Sequence, residues 1–361
     1  MQSRTTLRKQ IHRQRRKLHC SGPQIKTYSD LIKIPDEFRK FKNQPFLLSS
    51  LQTEDNEVVQ IYGAPSGLEI LNSCNVWAMD GTHSKTPKPF KQIYVIGGVL
   101  EGHFLPGLFC LLPDHSSKSY KNIFEFCKTS IKNEPKTIVI DFELAAINEI
   151  RLNFSSTKIT GCLFHFKHNL VKNVMKKNAK FKQCGHCVEI FKLIQALVYV
   201  PPGFVTEVYN KYIVESNKTS NCKNMNTFCN YFENTYVGKR YKNGKIKPPT
   251  FSVDLWNMFH VTNNKCTNTN NSLEAFNANF NGAQKGPQTI YTVIKGFIRE
   301  VEYTEIKHGE ISFGKYKEEH SGRKQEKYSR DEDLRNVMAK YNNENVLDYL
   351  RSIVIIVDRL N

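Results

Sequence analysis

Two aspartates end apolar runs that are typical of buried β-strands. Asp80 follows the run 76–79, and Asp141 follows the run 137–140. A strand that is buried in a sheet fixes the group at its end, so two such strands side by side would bring both carboxylates to one point. The pattern therefore predicts an acidic site, although an Asp-Gly pair after a strand can also be a simple turn signal.

Two carboxylates on a rigid sheet suit divalent metal chemistry. Mg²⁺ prefers oxygen ligands and keeps several of its waters. A pair of such ions, about 3.5–4 Å apart, activates a water or a 3′-hydroxyl and stabilises the leaving oxygen of a phosphodiester. Asp80 and Asp141 therefore predict chemistry that depends on Mg²⁺ or Mn²⁺.

Three residues are candidates for the third carboxylate that usually completes such a site. Glu143 would lie beyond the site if the strand before it continued, and Glu149 lies further along the next helix. Glu274 opens a helix that carries an apolar stripe and would pack on the core. Glu274 also stands three residues after Asn271, the spacing of a helix-capping pair, so a capping role is the alternative.

The segments around the two aspartates alternate between strand and helix signals. After the Asp80 strand, segments 92–100 and 103–112 predict a hairpin that turns at residues 101–102. Pro106 indicates an edge or a bulge. A helix, the Asp141 strand, a helix, a short strand and a helix follow. This order predicts an α/β fold, a mixed sheet flanked by helices that matches the ribonuclease-H-like topology.

The composition indicates a basic protein with a polyanionic partner. The chain has 361 residues, with 52 basic and 34 acidic side chains and a net charge of +18. Such an excess favours nucleic acid. No apolar run approaches the roughly 20 residues of a membrane span. The N-terminus lacks the apolar region of a secretory signal, and the ten scattered cysteines predict reduced thiols in an intracellular protein.

Several basic segments are candidates for DNA contact. Residues 1–45 carry twelve Lys or Arg and three Asp or Glu. They predict either an arm that grips phosphates by releasing counterions, or a solvated basic helix or localisation signal. The candidates are Arg13, Arg15, Arg16 and Lys17 in this arm, Lys85 and Lys88 after Asp80, and Lys239 and Arg240 in a basic loop over 238–249.

An ordered series of motifs resembles the catalytic domain of the Mutator-like element (MULE) transposases. The resemblance covers roughly residues 75–280, and several motifs in the right order make it specific. The matching segments are Met79-Asp80-Gly81-Thr82-His83, Leu105-Pro106-Gly107, Leu111-Leu112-Pro113-Asp114, Ile140-Asp141-Phe142-Glu143-Leu144-Ala145-Ala146, Gly161-Cys162-Leu163-Phe164-His165 and Thr269-Asn270-Asn271-Ser272-Leu273-Glu274.

The resemblance implies a catalytic and metal-binding triad of Asp80, Asp141 and Glu274 on a ribonuclease-H-like core. The long interval before Glu274 then becomes a mostly helical insertion. The implied activity is DNA transposition in the nucleus, by metal-dependent hydrolysis and strand transfer at transposon ends. The implied partners are double-stranded DNA, as terminal repeats and target, and a second copy of the chain. The alternatives are a domesticated, catalytically inactive DNA-binding protein and a nuclease that acts on RNA–DNA hybrids.

The family's Cys-x-x-His pair is present as Cys162 and His165. It is expected to be a zinc half-site or a DNA contact. With Cys184 and Cys187 it could form a tetrahedral zinc site. The alternative is a buried cysteine and a hydrogen-bonded histidine that pack the sheet against its helix. The zinc-binding recognition module that often precedes this domain is not evident in residues 1–45, which hold one cysteine and two histidines.

The sequence predicts five regions. They are a basic arm over 1–45, the first part of the core over 46–178, a mostly helical insertion over 179–260, the end of the core with the Glu274 helix over 261–300, and a charged helical region over 301–361.

Overall fold

The computed structural model describes most of the chain and divides it into two compact units. The first unit contains the described residues up to Lys158 and those between Asn271 and Tyr316. The second contains those between Ile159 and Asn270 and those after Lys317. The five regions expected from the sequence stay a prediction. The described residues are 22–53, 55–174, 181, 183–216, 223–241, 243, 245–263, 271–283, 288–315 and 322–358.

A seven-stranded mixed sheet organises the first unit. Its order is β3-β4-β7-β6-β5-β8-β9; β5 pairs with β8 in parallel, whereas β3–β4, β4–β7, β7–β6 and β6–β5 are antiparallel. The boundary between the units falls within β9. The strands are β1 Lys40–Phe41, β2 Gln44–Pro45, β3 Leu47–Gln52, β4 Val58–Tyr62, β5 Val76–Thr82, β6 Gln92–Leu100, β7 His103–Leu112, β8 Thr137–Ile140, β9 Lys158–Gly161, and in the second unit β10 Lys239–Arg240 and β11 Ile246–Lys247.

Helices follow the strands in the order that the sequence predicts between β5 and α4. Short 3₁₀ or π segments lie at Tyr28–Lys33, Asp36–Phe38, Leu197–Tyr199, Pro202–Phe204, Tyr209–Val214 and Glu233–Val237. The α-helices are α1 Pro65–Ser73, α2 Ser117–Ser130, α3 Leu144–Asn153, α4 Leu163–Val174, α5 Gly185–Ala196, α6 Val205–Val208, α7 Lys223–Phe232, α8 Val253–Trp256, α9 Phe259–Asn263, α10 Asn271–Ala283, α11 Ile290–Ser312, α12 Gly322–Met338 and α13 Val346–Asp358.

The hairpin of β6 and β7 confirms the turn and the bulge expected from the sequence. Glu101 and Gly102 both have positive φ, 49° and 80°, as a tight two-residue turn requires. The register shifts between Ile96 and Gly97, and Gly97 pairs with Pro106. Pro106 therefore lies at a bulge, and it also lies outside the stretch of β7 that pairs with β4.

Aromatic packing holds α10 and α11 on this sheet. Phe297 of α11 stacks on Phe109 of β7 with a centroid distance of 4.6 Å and on Phe280 of α10 at 5.7 Å. All three rings are buried, so each adds apolar burial and an aromatic contact. The helix that contains Glu274 is thereby fixed against the strands that carry the candidate acids.

The second unit has its own aromatic core. Trp256 is buried, stacks on Phe166 with a centroid distance of 5.2 Å and donates its indole N–H to the Tyr236 carbonyl at 2.9 Å. These contacts make Trp256 a structural residue of this unit. Among the described helices, none is both long enough and apolar enough to cross a membrane.

Close packing of α1 on β7 predicts a sharp difference between two glycines. A Cβ on Gly67 would lie 2.4 Å from the Gly107 carbonyl oxygen, whereas a Cβ on Gly309 of α11 would have nothing within 4 Å. We expect Gly67→Ala to lower the free energy of unfolding by about 1–3 kcal/mol through overpacking. The matched Gly309→Ala should raise it by about 0.5–1 kcal/mol, because alanine is the better helix former. Urea denaturation of both variants measures this; equal effects would contradict the close contact.

Candidate active site

The parallel register of β5 and β8 brings the two aspartates together. Val76 pairs with Thr137 and Ala78 with Val139, so the same register carried two residues further sets Asp80 opposite Asp141. Neighbouring strands are about 4.8 Å apart. The sequence predicted that Asp80 ends its strand. This prediction is wrong, because β5 continues to Thr82 along β6. It lies where the pairing with β8 has ended.

Asp80 is buried and held at both carboxylate oxygens. Asp80 is only 6% exposed to solvent. Oδ1 accepts the Gly81 backbone N–H at 2.9 Å, and Oδ2 accepts Nδ2–H of Asn277 at 2.9 Å. Burial raises the pKa of Asp80 to about 6, and the charge of Glu143 adds to the rise, while these two hydrogen bonds oppose it.

Asp141 follows the last residue of β8, and the charge of Asp80 acts on its carboxyl group. Burial raises the pKa of Asp141 to about 8, and repulsion from Asp80 and then from Glu143 contributes to the rise. Its Oδ1 accepts the Glu143 backbone N–H at 3.3 Å. The register of the two strands and the effect of the Asp80 charge on Asp141 indicate that the two carboxylates lie near each other.

Glu143 joins the same site because β8 ends at Ile140 and the chain turns into α3. Glu143 would lie beyond the site only if the strand continued past Ile140, and the strand does not continue. Its Oε2 accepts the Tyr120 hydroxyl at 2.8 Å, and its Oε1 lies 3.1 Å from Nδ1 of His115. The sequence signal for Glu143 was its position two residues after a strand-end aspartate. No sequence pattern indicated that Tyr120 and His115 would contact it.

Helix α10 faces the site with two asparagines that the sequence did not single out. Asn277 donates to Asp80, and Asn281 donates Nδ2–H to Oγ1 of Thr82 at 3.0 Å. Glu274 lies in the first turn of α10, three and seven residues before these two, and such spacings share one helix face. The structure does not describe the Glu274 side chain. Asn271 is the first helical residue, so it lies one position inside the expected cap.

The candidates for DNA contact lie in several places. Lys85 is half-buried and Lys88 exposed in the loop that follows β5. In the second unit, Nζ of Lys239 is 3.9 Å from Oε2 of Glu233. Four candidates lie outside the described residues: Arg13, Arg15, Arg16 and Lys17. The backbone of Arg240 is described in β10, but its side chain is not.

The Cys-x-x-His pair lies at the start of α4 in the second unit. Cys162 is buried, and His165 is half-buried with a pKa that burial lowers. Over the part of the chain that the structure describes, no group of three or more His, Cys, Asp or Glu side chains is arranged to hold a metal ion. Zinc at Cys162 and His165 stays a prediction.

The donor set around Asp80 nevertheless suits a hard divalent cation. Asp80 and Asp141 offer carboxylate oxygens, and the amide oxygen of Asn277 is buried without a hydrogen-bond partner in the part of the chain that the structure describes. Mg²⁺ and Mn²⁺ bind such oxygen ligands and keep waters in the remaining positions. A cation would also neutralise the repulsion that raises the pKa of both aspartates.

Residues 76–169 match the model of the MULE transposase domain. The match includes Asp80, Asp141, Cys162 and His165 and ends before Glu274. It confirms the resemblance found in the sequence and supports a transposase-related function. No curated protein matches the chain.

The raised pKa of Asp141 predicts a stability that falls with pH in the metal-free protein. A carboxyl group whose pKa is higher in the folded than in the unfolded state stabilises the fold fully below about pH 4, and this stabilisation is lost as pH rises through about 8. Asp141→Asn removes the buried charge. We expect it to raise the free energy of unfolding at pH 8.5 by on the order of 1–3 kcal/mol and to change it little at pH 4.5.

Urea denaturation in EDTA at the two pH values measures this difference. Asp36→Asn is the control in the same unit, because the Asp36 side chain is 79% exposed. A gain for Asp141→Asn that is the same at both pH values would contradict the burial of a charged group.

Proposed function

We propose that the chain is a DNA transposase of the Mutator-like type, with a ribonuclease-H-like core that performs metal-dependent phosphodiester hydrolysis and strand transfer at transposon ends. The observation that carries this proposal is the pair of Asp80, in β5, and Asp141, directly after β8, which the register of the two strands sets opposite each other within the segment that matches the MULE transposase domain.

Asp80 and Asp141 would hold Mg²⁺ or Mn²⁺. When bound, the ions would activate the attacking water or 3′-hydroxyl and stabilise the leaving oxygen. The chain's own contribution is rigidity. The backbone N–H of Gly81 and the amide of Asn277 fix both oxygens of Asp80, and the sheet fixes the spacing of the two acids. Such preorganisation is what a catalytic carboxylate needs.

Glu274 is the third carboxylate of the proposed site. It lies one helical turn before Asn277, which contacts Asp80, so the helix face that Glu274 shares is the face at the site. Glu143 has the second claim, since its charge acts on both aspartates. Each oxygen of Glu143, however, already has a protein partner in Tyr120 or His115. Both oxygens of Asp80 also have protein partners, so the preference for Glu274 follows the resemblance to the MULE domain, and a cleavage assay decides between the two residues.

DNA is the proposed substrate and partner, as terminal repeats and as target. The net charge of +18 favours a polyanion, and Lys85 and Lys88 follow the Asp80 strand in the same unit. The proposed activity requires two transposon ends to be held together, which favours a homo-oligomer. It also places the protein in the nucleus, where its substrate lies.

A cleavage assay tests the catalytic pair. With Mn²⁺ or Mg²⁺, we expect the protein to nick supercoiled plasmid and to cut DNA that carries the terminal repeats of its element. Asp80→Asn should lower the rate at least about 100-fold, because the metal ligand is lost, while DNA binding in a gel-shift assay persists. Asp36→Asn is the matched exposed control. Cleavage by Asp80→Asn at the parent's rate would exclude this mechanism.

The same assay separates the two candidates for the third carboxylate. Glu274→Gln should lower cleavage by at least about 100-fold, as expected for a lost metal ligand. Glu143→Gln keeps the shape of the side chain and one hydrogen-bonding oxygen beside Tyr120 and His115, and it should lower cleavage by only about 10-fold. The reverse order of effects would transfer the third position to Glu143.

A domesticated, non-catalytic DNA-binding protein is the second candidate. It is favoured by the net charge of +18, which suits DNA binding and does not itself require a catalytic site. It predicts DNA binding that weakens steeply with salt, because basic side chains release counterions. Such binding without any cleavage by the parent protein would favour it over the transposase.

A further inference from the structure

Two buried amide oxygens on the face of α10 that contacts Asp80 and Thr82 have no hydrogen-bond partner among the described residues. They are Oδ1 of Asn277 and Oδ1 of Asn281. The nitrogen of each amide is engaged, to Asp80 at 2.9 Å and to Thr82 at 3.0 Å. A buried polar atom without a partner is unfavourable, because it has lost its hydrogen bonds to water. Asn277, which is only 8% exposed, therefore carries a buried acceptor that a water or a cation would satisfy.

The orientation of the Asn277 amide follows from its neighbour. An ionised carboxylate only accepts hydrogen bonds, so the amide must turn its N–H towards Oδ2 of Asp80. The reversed orientation would set the amide oxygen against the carboxylate. The contact between Gly81 N–H and Oδ1 holds Asp80 in turn. The unpartnered oxygen of Asn277 is thus held in place by the same hydrogen bond that orients Asp80.

The surroundings of this oxygen select a cation as its ligand. Asp80 interacts electrostatically with Asp141 and Glu143, so three carboxylates act on one another in this part of the first unit. Carboxylate and amide carbonyl oxygens together are the ligands of hard divalent cations. A cation would satisfy the amide oxygen and offset the negative charge at the same time.

We propose that Asn277 is an oxygen ligand of the divalent-cation site. Its Oδ1 binds the ion held by Asp80 and Asp141, while its Nδ2–H holds Asp80 in position. This inference rests on the proposed function, which requires the ion. It adds a neutral ligand to the acidic set and places α10 at the metal, independently of Glu274.

Mn²⁺ binding to the full-length protein tests the ligand directly. Electron paramagnetic resonance of free Mn²⁺ gives the dissociation constant of each variant. Asn277→Leu keeps the approximate volume and removes the oxygen, and it should weaken binding at least 10-fold. Asn277→Asp keeps an oxygen there and should bind within about threefold of the parent. The control, Asn279→Leu, changes an exposed asparagine of the same helix and should stay within twofold.

Two outcomes would overturn the inference. One is Asn277→Leu binding Mn²⁺ within twofold of the parent. The other is Asn277→Asp losing as much affinity as Asn277→Leu, which would show that only the N–H matters. If circular dichroism shows that Asn277→Leu does not fold, the melting temperature of Asn277→Asp tests the inference instead. A carboxylate beside Asp80 should lower its melting temperature in EDTA, and Mn²⁺ should raise it by more than in the parent. An equal or smaller rise would count against the ligand.

Asp80→Asn separates this inference from the proposed function. If the parent binds Mn²⁺ and Asp80→Asn does not, while Asn277→Leu binds normally, the metal site stands and only the role of Asn277 fails. If the parent shows no Asp80-dependent Mn²⁺ binding, both fail.

Discussion

The parallel pairing of β5 with β8 is the constraint on which the rest of the site depends. It sets Asp80 opposite Asp141, where two ionised carboxylates would repel by about 4 kcal/mol at 4 Å and an effective dielectric constant of 20, and this repulsion contributes to the raised pKa of Asp141. The strands tolerate these acids because most of their other side chains are buried; Trp77, Met79, Ile138 and Ile140 are all in the core. Apolar burial therefore holds together two acids that would otherwise separate, and it does so before any cation binds.

The position of α10 depends on packing far from the acids. Phe280 of α10 stacks on Phe297 of α11, which stacks on Phe109 of β7. This column of rings fixes the rotation of α10 about its axis, and that rotation decides which side chains meet β5. Asn277, one turn before Phe280, consequently reaches Asp80. The polar contact is a consequence of the apolar one, because the helix face is chosen by the rings.

The sequence predicts the acids but not their neighbours, for physical reasons. A run of apolar residues that ends in an aspartate is a local pattern, so Asp80 and Asp141 can be found without tertiary information. The end of β8 is not determined by a local sequence pattern. If the strand were one residue longer, Glu143 would lie away from the site. Asn277 is harder still, since asparagines in helices usually face solvent, and only the packing of α10 buries this one. Pro106 shows the opposite case, because its missing N–H predicts a bulge wherever the strand lies.

The acidic cluster contains two kinds of carboxylate. Asp80 and Asp141 have raised pKa values and lie where the strands fix them, so they are the groups that a cation would most stabilise. Glu143 is held by Tyr120 and His115, and its charge raises the pKa of both aspartates. It makes the pair harder to ionise without a cation and more strongly attractive to one. In the proposed site Glu143 would therefore strengthen the attraction for a cation without binding it, and its hydrogen bonds to Tyr120 and His115 are compatible with that part.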